Sequence, residues 1–225
     1  MQPADFDREE LLRFLGTPTL DAQLSAKLEH CLQTLCQQMQ PRQVYRIFPL
    51  IWRDSVPYLE ETPLEGKDIA AHLQGCTQAA VMAVTLSASV DALIRSVQAR
   101  DMAEAVMLDT AAGSAVEYYC EQTEQEICQR IELPYHTERF SAGYGDFPLS
   151  IQGTLLQMLN AQRIIGLTVT SSNLLLPMKS VTAIIGFSSH PTQDARRFGC
   201  GKSCALCPQR DDCPYQQKTD REDNI

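Results

Sequence analysis

Residues 139–148, Arg-Phe-Ser-Ala-Gly-Tyr-Gly-Asp-Phe-Pro, have the residue types best suited to holding a small molecule. An arginine can clamp a carboxylate through two parallel hydrogen bonds. Gly143 and Gly145 flank Tyr144, and glycine lets the backbone turn sharply and approach a ligand closely. A tyrosine held in this way can stack on a bound group or hydrogen-bond to it. The same residues also suit a tight surface turn with a packed tyrosine, and the pattern by itself leaves both interpretations open.

Four cysteines near the end of the sequence form a second candidate site. Cys200, Cys204, Cys207 and Cys213 lie within fourteen residues, a spacing at which four thiolates can surround one ion or cluster. Such a set suits tetrahedral zinc or a [4Fe–4S] cluster. Prolines after the last two cysteines resemble ferredoxin ligation and favour the iron–sulfur cluster, with zinc as the alternative. Four unliganded thiols are disfavoured because exposed free thiols oxidise.

The composition limits the classes of function. The chain has 225 residues, nine cysteines and a formal net charge of −9. An acidic protein is poorly suited to coat nucleic acid or an anionic membrane. No apolar stretch is long enough to span a bilayer, and no secretory signal is visible at the start. We therefore expect a cytoplasmic protein without nucleic-acid or membrane partners, in which the other five cysteines are buried side chains and not a disulfide framework.

The first forty residues are predicted to be helical. Asp7 can cap a first helix, and Thr17-Pro18 is typical of the start of a second one. The second helix carries leucines at helical spacing and ends at Pro41. Strands are then predicted over 44–48, closed by Pro49, and over 79–86.

The second half of the sequence is predicted to contain both helices and strands. Helices are predicted over 89–99, 102–131 and 148–163, and strands over 168–170 and 181–185. Because the elements follow no regular βαβ rhythm, we expect an α+β fold with a twisted, mainly antiparallel sheet and flanking helices. The cysteine spacing divides the chain into a main domain, 1–192, whose helical part is 1–40, and a metal-binding tail, 193–225.

Three stretches together resemble the activation domain of cobalamin-dependent methionine synthase. The first is Arg139-x-x-x-Gly143-Tyr144, followed by a proline and an amphipathic helix. The others are Leu-Pro-Met-Lys-Ser-Val at 176–181 and Phe-Ser-Ser-His-Pro at 187–191. The resemblance spans 68–191, is firm from Glu117 onward, and implies the fold of that domain.

The resemblance also implies a function in reactivation. The family binds S-adenosylmethionine; a flavodoxin or ferredoxin supplies one electron to cob(II)alamin, and methylation traps the reduced cobalt. By this resemblance Arg139 holds the methionyl carboxylate, and Ala142 and Gly143 line the ligand. Tyr144 is the catalytic residue and lies between the ligand and the corrin of the partner. Backbone contacts along one edge of the site come from Ser180, Val181 and Thr182.

The sequence departs from the long enzyme in several ways. It lacks the Asp-x-His-x-x-Gly signature for cobalamin and is too short for the homocysteine and folate barrels, and residues 140–142 are Phe-Ser-Ala where the long enzyme favours prolines. We therefore expect a free-standing activation protein that serves a cobalamin-dependent methionine synthase lacking its own activation domain. Two alternatives stay open: an iron–sulfur reductive activator of other corrinoid methyltransferases, and a zinc-stapled binding module without a redox role.

Overall fold

A computed structural model describes residues 1–191, in which helices and strands alternate without a βαβ rhythm. The helices are α1 (Arg8–Phe14), α2 (Ala22–Gln38), α3 (Lys67–His72), α4 (Ala88–Gln98), α5 (Met102–Arg130), α6 (Gln152–Met158) and α7 (Ala161–Ile165). The strands are β1 (Arg42–Arg53), β2 (Val56–Leu59), β3 (Thr62–Pro63), β4 (Gln78–Thr85), β5 (Tyr135–His136), β6 (Thr168–Val169), β7 (Leu175–Leu176) and β8 (Ser180–Ser188).

Six of the strands form one sheet in the order β3-β2-β1-β4-β8-β5, and every neighbouring pair is antiparallel. β6 and β7 form a separate antiparallel hairpin. β4 lies at the centre, with Val81 opposite Arg46 of β1 on one side and Ile184 of β8 on the other. The predicted fold class, α+β with a mainly antiparallel sheet and flanking helices, is confirmed.

Helices cover both faces of the sheet because successive side chains of a strand point to opposite faces. Met82 and Val84 of β4 and Ile185 of β8 point into a core with α2, α4 and α5. Val81 and Ile184 point the other way, into a core with α3, α6 and α7. β4 and β8 are therefore buried on both sides and form the rigid centre of the molecule.

The longest helix, α5, lies across the first core. The Asp101 side chain caps it by accepting a hydrogen bond from the Glu104 N–H. Its buried stripe includes Ala111, Ala112 and Ala115, whose small side chains let neighbouring backbones come close. The helix predicted over 102–131 is thus confirmed to within one residue.

Two of the predicted boundaries near the start of the chain are wrong. The second helix begins at Ala22, after Asp21, whose carboxylate accepts from the Leu24 N–H. The Thr17 hydroxyl donates instead to the Thr19 carbonyl, so Thr17-Pro18 is a turn and not a helix start. Pro49 also does not close β1, which continues to Arg53. β1 changes its pairing partner from β4 to β2 directly after Pro49, where a missing N–H is tolerated.

The helix predicted over 148–163 is broken. A 3-10 turn, Leu149–Ile151, leads into α6, and Asn160 in the left-handed conformation, with φ +51°, separates α6 from α7. Gly166 ends α7 in the same conformation, which glycine adopts at little cost. Propensity favoured one continuous helix, but two short helices fold more closely over the second core.

Cys200, Cys204, Cys207 and Cys213 lie outside the described residues, so the tail site and the division at 192 stay predictions. Within 1–191, no group of three or more His, Cys, Asp or Glu side chains could hold a metal ion. The helices of this part include none long and apolar enough to cross a membrane. The remaining five cysteines are free thiols, three buried and two half-buried, as expected for core side chains.

Candidate functional site

β8 has an unpaired edge where it begins. On the side away from β4, β5 pairs only with the last two residues of β8, and Phe140 forms a single bridge to Ile184. Backbone groups of alternate residues point to the same edge, so the N–H and C=O of Thr182 point to the side on which Phe140 meets Ile184. No hydrogen bond from residues 1–191 reaches these two Thr182 groups. They are therefore available to a bound molecule.

The loop that follows Arg139 folds back on itself beside this edge. The Tyr144 N–H donates to the Ser141 carbonyl at 3.1 Å, and the Phe147 N–H donates to the Tyr144 carbonyl at 2.9 Å. The Gly143 N–H donates to the Phe147 carbonyl at 2.9 Å, and Gly143 has a φ of +89°, a conformation that favours glycine. These bonds fix the direction in which Tyr144 leaves the backbone.

A reciprocal pair of aspartates fastens this loop to the start of α3. The Asp146 carboxylate accepts from the N–H groups of Lys67 and Asp68 at 2.8 and 3.0 Å, and the Asp146 N–H donates to the Asp68 carboxylate at 3.1 Å. A Cβ at Gly145 would lie 2.0 Å from the Asp68 carboxylate, so only glycine fits there. The N–H donors of Asp68 and Lys67 hold the pKa of Asp146 below its usual value. We call this contact the aspartate clasp.

Arg139 is held between two carboxylates of α5. Its Nη2 lies 3.0 Å from Glu117, and its Nε lies 3.4 Å from Glu124. The Arg139 side chain is only 18% exposed, and its Nη1 is buried without a hydrogen-bond partner in the described part of the chain. The guanidinium also lies beside the Cys120 thiol, whose pKa burial raises to about 12. One donor of the arginine is therefore free for an anionic or carbonyl acceptor.

Arg139 opens onto a cavity of about 1100 Å³ between α5, the start of β8 and the first residues of the chain. Eight carboxylate side chains line it, against Arg139 and Lys179 as cations. The eight are Asp5, Asp7, Glu10, Asp109, Glu117, Glu121, Glu124 and Glu138. Burial raises the pKa of Glu10; Arg13 acts against this, and the neighbouring Asp7, Glu121 and Glu117 carboxylates each add a smaller increase. The lining suits a ligand that carries positive charge.

Tyr144 lies at the mouth of the cavity. Its ring meets the buried Phe140 ring edge-on, with 5.8 Å between centroids, while the rest of the side chain is partly exposed. Burial, and less strongly the Glu117 carboxylate, raises the pKa of Tyr144 above its usual value. Tyr144 can therefore present a ring face and a hydroxyl to a bound group.

The predicted site residues divide into two sets. The cavity is lined by Arg139, Tyr144, Ser180, Val181 and Thr182. Ala142 is buried in the second core and Gly143 is exposed, and neither is among the lining residues. Their contact with a ligand stays a prediction, and in this structure they shape the turn that carries Tyr144.

Sequence reasoning overlooked most of the acidic lining. Glu117, Glu121 and Glu124 stand four and three residues apart on α5, so they share one face of the helix. That spacing was visible in the sequence, but the side of the helix that faces Arg139 was not. Gln152 of α6 was also missed; its side chain accepts a hydrogen bond from the Thr182 hydroxyl inside the cavity wall.

The antiparallel sheet, the helices on both faces, and a cavity at a free strand edge define an α+β domain with a candidate ligand site. The profile of the family described as the vitamin B12 dependent methionine synthase activation domain matches residues 68–206, more than half of the sequence. The chain belongs to this family.

The chain shares its fold with a solved structure. The crystal structure of the MetH reactivation domain bound to AdoHcy superposes with a TM-score of 0.57 at 16% sequence identity. The match covers 79% of this chain and 66% of that one. At this identity the likeness establishes the shared fold. No curated protein matches the sequence.

Proposed function

We propose that this protein binds S-adenosylmethionine in the cavity beside Arg139 and supports reductive methylation of cob(II)alamin in a partner cobalamin-dependent methionine synthase. Two findings support the proposal: membership of the activation-domain family, and the shared fold with a reactivation domain that binds AdoHcy. The observation that carries it is the free Nη1 donor of a buried arginine at a cavity lined by carboxylates.

Arg139 suits the carboxylate of the methionyl group. Its orphaned Nη1 lacks the acceptor that a buried donor requires, and a ligand carboxylate would supply one. Nη2 already donates to Glu117. A ligand carboxylate can therefore accept from both Nη1 and Nη2 only if Glu117 moves away or shares the Nη2 donor. Glu117 is 57% exposed and can swing into solvent, whereas Glu124 is more enclosed.

The acidic wall suits the positive groups of the ligand. S-adenosylmethionine supplies a methyl group on a sulfonium cation, and it also carries an ammonium group. Glu117 and Glu121 of α5 and Glu138 of the loop provide negative charge around the cavity. In a partly enclosed site such charges attract a cation more strongly than they would in bulk water.

Tyr144 is proposed to lie between the ligand and the partner's corrin. Tyr144 and Met178 are exposed while also lining the cavity, so this mouth has an apolar rim. The aspartate clasp fastens the loop that carries Tyr144, and the Phe140 ring meets the Tyr144 ring edge-on. A rigid aromatic side chain at this position can orient the ligand and exclude water from it.

Isothermal titration calorimetry with S-adenosylmethionine and AdoHcy tests the binding site. Arg139→Ala should weaken binding roughly ten- to hundredfold, as expected for loss of a charge-assisted hydrogen bond. Arg130→Ala is the matched control, because Arg130 pairs with Glu126 on α5 outside the cavity lining. No binding by the wild type, even with a cob(II)alamin-loaded partner present, would refute the proposed function. Equal affinity of Arg139→Ala and wild type would refute the arginine contact.

The tail is proposed to hold a [4Fe–4S] cluster or zinc on Cys200, Cys204, Cys207 and Cys213, as a separate unit following residue 192. A cluster would suit a protein that receives electrons from a flavodoxin or ferredoxin in the cytoplasm. Iron and sulfide analysis with a visible absorption spectrum, on protein prepared anaerobically, decides between the metals. A colourless protein that contains zinc would favour the binding module without a redox role.

A further inference from the structure

Gln152 presents an unused hydrogen-bond donor to the cavity. The side chain is only 6% exposed, lines the cavity, and accepts the Thr182 hydroxyl through Oε1. Its Nε2 has no hydrogen-bond partner among residues 1–191. The Nε2 atom keeps some contact with solvent, so its two N–H donors are open to water or to a bound molecule.

The part of the cavity around Gln152 differs from the part around Arg139. Arg139 is surrounded by carboxylates, which suit a charged amino-acid group. Gln152 instead contacts the uncharged Thr182, and the cavity lining also includes the uncharged Ser180, Val181 and Leu175.

The free backbone edge of β8 also runs through Thr182. The N–H and C=O of Thr182 point to that edge, and the Thr182 hydroxyl orients the Gln152 amide. A ligand can therefore meet two donors, the Thr182 N–H and Gln152 Nε2, and one acceptor, the Thr182 C=O. Heteroaromatic rings with adjacent donor and acceptor groups, such as purines, pair well with such a set, and the apolar Val181 and Leu175 suit the ring faces.

We infer that Gln152 is a specificity-determining residue that donates a hydrogen bond to the purine nucleoside end of the ligand, while Arg139 holds the amino-acid end. The inference rests on the proposed function and adds an assignment of the two ends of the ligand to two parts of the cavity. Thr182 acts through its hydroxyl as a positioning residue, since it fixes the rotation of the Gln152 amide.

The test compares two ligands, AdoHcy and 5′-methylthioadenosine, by calorimetry. 5′-Methylthioadenosine keeps the nucleoside and lacks the amino-acid arm. Gln152→Leu removes the donor and keeps a side chain of similar size. It should weaken the binding of both ligands by the same factor, roughly three- to tenfold. Arg139→Ala should weaken AdoHcy alone. Weakening of AdoHcy alone by Gln152→Leu would place the residue at the amino-acid end and contradict the inference.

Ile165→Val controls for loss of stability. Ile165 is buried in the second core and does not line the cavity, so this variant should be slightly destabilised and bind both ligands as wild type does. If Gln152→Leu binds both ligands as tightly as wild type, the inference is wrong while the proposed function stands. It is equally wrong if wild type binds AdoHcy but not the nucleoside fragment. If wild type binds neither ligand, the proposed function is refuted, and this inference with it.

Discussion

The ion pairs of Arg139 should contribute unequally to stability, and the structure predicts which one matters. Arg139 and Glu124 are 18% and 21% exposed, whereas Glu117 is 57% exposed. Breaking a fully buried pair costs about 3–5 kcal/mol, and a surface pair contributes about 0–1 kcal/mol. Arg139→Met keeps the aliphatic stem and removes the charge. We expect it to destabilise the protein by about 1–3 kcal/mol, chiefly because the poorly exposed Glu124 carboxylate loses its contact with the Arg139 guanidinium.

Neutralising Glu124, the more enclosed of the two carboxylates, should restore much of this loss. Arg139→Met/Glu124→Gln should recover at least half of the lost stability, and Arg139→Met/Glu117→Gln should recover little, because water already solvates Glu117. Thermal unfolding measures the effect, since 1 kcal/mol shifts the Tm of a chain this long by roughly 2–4 °C. The single Glu124→Gln and Glu117→Gln variants complete the double-mutant cycles. Equal recovery from the two double variants would refute the reasoning.

Three further outcomes follow from the site and its surroundings. Gly145→Ala should lower the free energy of unfolding, measured by chemical denaturation, by about 1 kcal/mol more than Gly16→Ala does. Both glycines have positive φ, but only a Cβ at Gly145 would collide with the Asp68 carboxylate. The N–H groups at the start of α3 lower the pKa of Asp146. The contribution of this carboxylate to the free energy of unfolding should therefore be complete above its ordinary pKa of 3.8 and decrease as the pH falls below that value. Asp146→Asn should make the free energy of unfolding, measured by denaturant titration, depend less on pH on the acid side. Burial raises the pKa of Cys120 to about 12, so peptide mapping should find this thiol unlabelled by iodoacetamide at pH 8 until the protein unfolds.

Much of the fold was predictable because it depends on local patterns. The apolar runs gave β4 and β8, and helical spacing gave α4 and α5 to within a residue or two. The predictions failed where tertiary pairing overrode a local signal. Pro49 lies within β1 because the strand changes partners there, and Asn160 divides a helix so that both parts fit the second core.

Part of the candidate site was also predictable. Arg139, Tyr144 and the start of β8 were recognised by residue type and order, and they do line one cavity. Gln152 gave no signal, because a glutamine in an amphipathic helix has no distinctive pattern. The exposed Glu117 carboxylate has the look of an ordinary helix-surface residue in the sequence, and only the structure shows that it is bonded to Arg139.

The sequence by itself determined the residue types at the site, the main helices and strands, and the acidic character of the chain. The tertiary structure decided which groups meet. Arg139 pairs with Glu117 across 22 residues, Gln152 meets Thr182 across 30, and Asp146 joins Asp68 across 78. Such contacts depend on how α5, α6 and α3 pack against the sheet, and that packing is set by the summed burial of many side chains and not by any local pattern.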